Sequence, residues 1–326
     1  MQRKRDGLVP IGEVFGGLPG PVKALRDAAP QALHHFTRFD QVNQLVEASE
    51  SDPDLGFMAR LLALCSLPRT NPGKRDRYVR KNGPYTLVMI AGGEVPKLPF
   101  GNLPRLLLAW VCTEAVRTQS RVLVLGRSLS EFIKTLGINS CSGGVRGEQT
   151  RLRKQMKRLF GCTVQLTYQD EQVERFAHSL IAERGEYWWN PQRPGQTSLW
   201  ESKIELGEKF FNEIIRHPVP IDMNTLKALK RSSLGLDLYL WLTYRTFALK
   251  SPLRLSWRQL YHQFGTDPSK ASDKRTIQNF RAKVLRELVK IKLAWPSLSY
   301  ATAKGVLILS PTTPAIPPSD QRQLPS

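Results

Sequence analysis

No stretch of this chain approaches the roughly 20 consecutive apolar residues needed to cross a bilayer. The beginning, MQRKRDGLVPIG, is positively charged but has no apolar run behind it, which argues against a secretory signal. Cysteine is scarce and scattered. Cys65, Cys112, Cys141 and Cys162 form no Cys-x-x-Cys pair and have no histidine at ligand spacing, so a zinc site is not expected. Cys112 falls in an apolar helical run and reads as core packing, and a reducing, cytoplasmic setting fits.

Catalytic signatures are missing too. His34, His35, His178, His217 and His262 make no His-hydrophobic-His pair of the kind that holds a metal for DNA nicking by a tyrosine. The Gly73–Lys74 pair lacks the first glycine and the hydroxyl residue of a phosphate-holding G-x-x-x-x-G-K-[ST] loop. Neither G-x-S-x-G nor H-E-x-x-H occurs, and His217, before Pro218 and after an apolar helix, reads as structural. No enzymatic activity, cofactor or metal is expected.

Acid is the remaining shortage: 28 Asp and Glu stand against 48 Lys and Arg, a formal charge of +20. A folded protein this basic repels itself unless an anion is near. Nucleic acid is the first partner to expect and a membrane surface the second. At 326 residues and 41% hydrophobic the chain can build two domains of ordinary size.

Residues 1–82 are expected as an N-terminal irregular and basic region, with helices around Phe39 to Ala48 and Leu55 to Leu64, and with RTNPGKRDRYVRKNGP as an exposed arm. Residues 311–326, SPTTPAIPPSDQRQLPS from Ser310 onward, are expected as a disordered Pro-rich tail. The ground between is regular. From 83 to 200 the pattern predicts a strand at Tyr85 to Ile90 and an apolar helix from Leu103 to Val116, opened by Asn102 as N-cap with Pro104 in its first turn. A strand at Arg121 to Leu125 follows, then a helix that Ser128 opens at capping-box spacing from Glu131 and Gly137 ends. A Gly/Ser turn leads to the helix GEQTRLRKQMKRLF, the strand TVQLTY, and EYWWNPQRPGQ as a strand running into a turn.

From 201 to 310 the order recurs: a helix at Ser233 to Leu249, the extended PLRLS, a Ser256-capped helix ended by Gly265, the turn TDPSKAS, the helix DKRTIQNFRAKVLRELVKI, and the strands LAWPSLSY and GVLILS with a turn at Ala303–Gly305. Trp110 overlies Trp241 and Gly137 overlies Gly265, a period too long for a solenoid. Duplication explains this, and chance likeness of two amphipathic segments is the alternative. The fold class expected is therefore α+β, predominantly helical, with two tandem winged-helix domains related by duplication.

In each unit the second helix of the pair is the basic one. At 100° per residue, Ile277, Phe280, Val284 and Leu288 share one side, and Arg275, Asn279, Lys283, Arg286 and Lys290 the other. In the first unit Leu152, Met156 and Leu159 oppose Thr150, Lys154, Lys157 and Arg158, with Arg151 at the edge. Arg grips guanine in a fork and Asn does the same for adenine, and both stand near the helix N-terminus that meets base edges in helix-turn-helix proteins. Arg275 and Asn279 are assigned to bases, and Lys283, Arg286 and Lys290 to phosphates. Arg281 falls by the apolar side and is free to snorkel. A plain surface helix with solvated charge is the competing reading of each. The pair Trp188–Trp189 reads as a hairpin packing on its domain or on a second copy.

NLPRLLLAWVCTEAVRTQSRVLVLGRSLSEFIKTLG with GGVRGEQTRLRKQMKRLF, and FFNEIIRHPVPIDMNTLKALKRSSLGLDLYLWLTYRTF, resemble the plasmid-encoded RepA replication initiators of broad-host-range plasmids, over roughly residues 84–310. The resemblance implies two winged-helix domains binding double-stranded DNA at direct repeats (iterons) of a plasmid origin, opening of AT-rich DNA, and recruitment of the host initiator and helicase. It also implies a homodimer, in equilibrium with monomer, that represses its own gene, and no membrane association. By position it gives Arg275, Asn279, Lys283 and Arg286 the larger role, the first domain serving dimerisation with Lys154, Lys157 and Arg158 as auxiliary or phosphate-only contacts. An operator-binding transcription regulator and a non-specific DNA-packaging protein are the other readings.

Overall fold

A computed structural model of the chain describes residues 39–93, 96–138, 147–189 and 197–317. The Gly/Pro-rich start, the Gly/Ser turn after Gly137, most of the turn after Trp189 and the end of the Pro-rich tail lie outside these residues. The chain is α+β. First come α1 (Phe39–Glu50), β1 (Leu55–Ala59), α2 (Arg60–Leu64), β2 (Arg77–Asn82) and β3 (Tyr85–Ile90). The next unit runs α3 (Leu103–Thr118), β4 (Val122–Gly126), α4 (Leu129–Thr135), α5 (Glu148–Phe160), β5 (Thr163–Gln169), β6 (Glu174–Leu180), β7 (Ala182–Glu186) and β8 (Ser202–Leu206). Then α6 (Glu208–Arg216), β9 (Pro218–Asp222) and α7 (Met223–Ala228) lead to α8 (Ser233–Phe247), β10 (Leu253–Ser256), α9 (Trp257–Phe264), a 3-10 turn at Pro268–Lys270, α10 (Lys274–Ala294), β11 (Tyr300–Ala303) and β12 (Val306–Leu309).

Local chemistry accounts for most of these boundaries. The Ser128 hydroxyl accepts from the Glu131 amide at 3.3 Å, and Gly137 takes φ +71° just past the end of α4, where a side chain would be strained. Ser256 and Gln259 form a complete capping box for α9. Asn102 departs from its expected role: its side chain caps nothing in α3 but donates to the Lys230 carbonyl at 2.6 Å, tying the start of α3 to the approach to α8.

Both central helices are buried almost all round. On α3 the buried side chains include Leu106, Leu107, Val111 and Cys112; on α8, Leu236, Leu238, Tyr239 and Leu242. Such helices are core on every face. The strand after each central helix pairs with the last strand of its unit, β4 with β8 and β10 with β12, and the last strand pairs with the one before it, β8 with β7 and β12 with β11.

Three stretches depart from the sequence reading. The pattern predicts one helix over Leu55 to Leu64, but its first half is β1, antiparallel to β9 with Phe57 opposite Pro220. Gly56 allows the close approach: a Cβ there would stand 2.5 Å from the Met223 side chain. The basic arm contains β2, which pairs with β3, and Arg80 within it is buried, donating to the Tyr78 hydroxyl at 2.7 Å and the His262 carbonyl at 3.1 Å. Finally, TVQLTY, expected as the wing strand, forms with β6 a hairpin that extends β2–β3 into a four-stranded sheet, order β2-β3-β5-β6; the strand beside β8 is β7 instead. The first part of the Pro-rich tail is held as well: Trp295 Nε1 donates to the Thr313 carbonyl at 3.1 Å, and Ile316 is 1% exposed.

A buried ion pair joins the units. Arg105 of α3 and Asp237 of α8 meet at 2.6 Å, with side chains 2% and 4% exposed. Arg105 also donates to the carbonyls of Leu67, Pro68 and Gly101. Asp237→Ala leaves that cation buried without its counter-ion and is expected to cost about 3–5 kcal/mol. Denaturant unfolding of the full chain measures it; a loss near zero would show that the pair is dispensable.

Candidate nucleic-acid interface

α10 has its apolar face in the core: Phe280, Val284, Leu288 and Ile291 are buried, and the helix packs on α1, α7, α8 and α9. Its start is set by Asp273, whose carboxylate accepts from the amides of Arg275 at 3.2 Å and Thr276 at 3.0 Å and from the Thr276 hydroxyl. The Thr276 hydroxyl first, and its amide next, hold the Asp273 carboxyl below its ordinary pKa. Asp273 orients the turn that carries Arg275; the sequence reading leaves it out, although Asp three residues before Thr at a helix start is a recognisable cap.

The expected basic face divides along the helix. Arg275, Asn279 and Lys283 are exposed, and among the described residues neither cation forms an ion pair. Arg286 is half-buried, its Nε near the Ala282 carbonyl at 3.4 Å. Lys290 is held inward: it pairs with Glu287 at 3.3 Å, and its side chain is 18% exposed. The outward face thus belongs to the first half of α10; the second half is given to packing. Arg281, expected to snorkel, stands exposed over the Trp257 ring at 5.6 Å. Lys304, at the tip of the β11–β12 turn, is exposed beside Gly305 and adds a cation the sequence reading does not assign.

α5 repeats the arrangement on a smaller scale. Leu152, Met156 and Leu159 are buried as the spacing predicts, joined by Gln149, Gln155 and Phe160. Gln155 accepts from the Phe100 amide at 3.0 Å and Gln149 donates to Ser130 at 3.2 Å, which fixes α5 against its neighbours. Lys154 and Lys157 are exposed, and among the described residues neither forms an ion pair. Thr150 is half-buried. Arg158 is half-buried over the Phe100 ring at 5.1 Å, and burial pulls its pKa below the ordinary guanidinium value. Arg151 pairs with Glu148 at 2.9 Å.

The two neighbouring tryptophans separate. Trp189 is buried, 5.6 Å from Phe132 with Nε1 on the Gly126 carbonyl, while Trp188 is half exposed and faces Trp200 at 6.3 Å. Among the described residues no three His, Cys, Asp or Glu side chains group as a metal site, and no helix is long and apolar enough to cross a membrane.

Residues 98–259 match the family model of the plasmid encoded RepA protein. This stretch of the chain belongs to that plasmid replication family. The RepA stretch contains α3 through α8 and ends inside α9, so α5 lies within it and α10 beyond it. No curated protein matches the chain. At 13% identity it is similar to a crystal structure of domain 2 and domain 3 of RctB, covering 82% of this chain and 99% of that one with a TM-score of 0.48. A second crystal structure of RctB domains 2-3 is similar at 13% identity, covering 76% and 94%, with a TM-score of 0.45.

The sign of the Asp273 shift sets its pH dependence. A carboxyl with a lowered pKa stabilises the folded turn above the ordinary carboxylate range, about 4, and that stability is lost as pH falls through the lowered value. Amide exchange at Arg275 and Thr276 is expected to slow relative to Asp273→Ala at neutral pH and to converge with it in acid. Equal exchange at neutral pH would remove Asp273 as the cap.

Proposed function

We propose that this chain is a plasmid replication initiator that binds direct repeats of double-stranded DNA at its origin through two winged-helix units. One observation carries the reading. α5 and α10 occupy the same place in two units of like strand order, each with an apolar side in the core and, among the described residues, cations outside any ion pair on the other. Cations so placed gain by displacing counterions from a phosphate backbone, and the charge of +20 needs such a partner. Arg275 and Asn279, on the first turns of α10, are the base readers; Lys283, with Arg286 beside it, and Lys154, Lys157 and Arg158 on α5 contact phosphate. The protein acts by binding and bending DNA toward opening at an AT-rich tract and by bringing the host initiator and helicase there, with no catalysis of its own.

A homodimer in equilibrium with monomer belongs to the same proposal. The sheet β2-β3-β5-β6 turns one face outward, and along it Phe176, Leu180, Ile90 and Val79 are exposed, Phe176 at 68%. A row of apolar side chains on a sheet face suits a second copy, and the dimer is the form expected to repress the gene.

Footprinting on the DNA flanking the gene tests the function: protection of tandem repeats beside an AT-rich tract is expected, and protection of an inverted repeat alone would make the chain an operator-binding regulator. Arg275→Ala is expected to cost about 1–3 kcal/mol on the repeats and much less on random duplex. Lys283→Ala should lower the salt slope of binding by about one, while Lys290→Ala, whose amine is already paired, leaves it unchanged. Equal slopes for the two lysine variants would overturn the division of α10. Phe176→Asp is expected to give monomer at micromolar concentration in sedimentation; an intact dimer would move the interface elsewhere.

A further inference from the structure

At the C-terminal end of α5 lies a cavity of about 440 Å³ that shares Lys157 and Arg158 with the proposed DNA contacts and adds Arg184, which those contacts do not use. Its walls are the end of α5, the loop at Gly92 and Gly93, and β7 with Tyr187 after it. Three cations line it: Lys157 and Arg158 from α5 and Arg184 from β7. Among the described residues none of the three forms an ion pair. Glu183, the acid on the same wall, is already engaged, by the Arg121 guanidinium and by the Glu208 amide at 3.2 Å.

The floor is backbone. Gly92 and Gly161 approach so closely that a Cβ on Gly92 would stand 2.3 Å from the Gly161 carbonyl. A helix C-terminus repels anions with about half a unit of negative charge. Two of the carbonyls there are already occupied, Lys157 by the Gly161 amide at 3.1 Å and Arg158 by the Cys162 thiol at 3.0 Å. Three full positive charges outweigh what remains. The volume is within the roughly 300–1,000 Å³ of ligand pockets, and Phe160 and Tyr187 give apolar surface beside the cations.

We propose that this cavity binds a phosphate group, gripped by the forks of Arg158 and Arg184 and the amine of Lys157. Its size and aromatic wall suit a nucleoside phosphate. The group comes either from a free nucleotide or from the backbone of bound DNA; the second source rests on the DNA-binding reading above, the first does not.

The test uses the full chain. Calorimetric titration with ATP and with inorganic pyrophosphate is run on wild type and on Arg184→Ala, an exposed position; Lys157→Ala repeats the test from the opposite wall. Duplex binding is followed across salt concentrations for the same variants, with Arg275→Ala as reference. For a free-nucleotide site, ATP and pyrophosphate compete and both variants weaken them about tenfold or more. For a backbone site, neither small molecule binds, and Arg184→Ala lowers the salt slope for duplex by about one; Lys157→Ala, already a proposed phosphate contact, lowers it from either source and does not decide. If both variants leave small-molecule binding unchanged and Arg184→Ala leaves duplex binding unchanged, the cavity is not a phosphate site. Loss of repeat binding in Arg275→Ala beside such a result would leave the DNA reading standing, whereas wild type that binds ATP but no duplex would keep the cavity and sink that reading.

Discussion

Arg105 brings a full charge into the interior, and a guanidinium there is tolerable only if its five N–H groups all find acceptors. They do: the two oxygens of Asp237 and the carbonyls of Leu67, Pro68 and Gly101 take one each. Three separate pieces of chain converge on one side chain: the segment after α2, the start of α3, and α8. Because the donors are planar and fixed, the two central helices meet in one relative orientation. Everything that carries the basic helices is attached to α3 or α8, so this junction sets how the two faces are presented.

That constraint explains an economy in α10. The helix is 21 residues long, and its second half is spent on the packing that binds it to α1 and α8. Lys290 lies in that half and is neutralised by Glu287. The exposed positions of the helix all lie in its first half, from Lys274 to Lys283. α5 is shorter, its cations run from Arg151 to Arg158, and Arg158 rests on Phe100. On the proposed function, this would give one helix the reading and the other the holding.

Helical periodicity reveals the helices well, because 3.6-residue spacing is a local property that each segment carries alone. Leu152, Met156, Leu159, Phe280, Val284 and Leu288 turn inward as their spacing predicts. Pairings between distant segments leave no such mark. Leu55 to Ala59 is apolar without a clear period, and a short run of that kind reads equally as helix or strand; only Pro218 to Asp222 across from it decides. Arg80 and Arg105 look like surface residues in a basic sequence, and no local signal marks them as buried. Arg184 is just as silent: it joins Lys157 and Arg158 only because β7 folds back beside α5. Asn102 has the composition of a cap, but a carbonyl from the other unit competes for its amide.

The proline-rich segment after β12 does more than trail away. Ile316 sits in the interior, and the Thr313 carbonyl receives both the Trp295 indole and the Ser297 hydroxyl. Shortening the chain to its last strand would take away the acceptor of the Trp295 indole and the buried Ile316. Affinity tags and fluorescent fusions should accordingly be joined beyond residue 317, where they leave Thr313 and Ile316 in place.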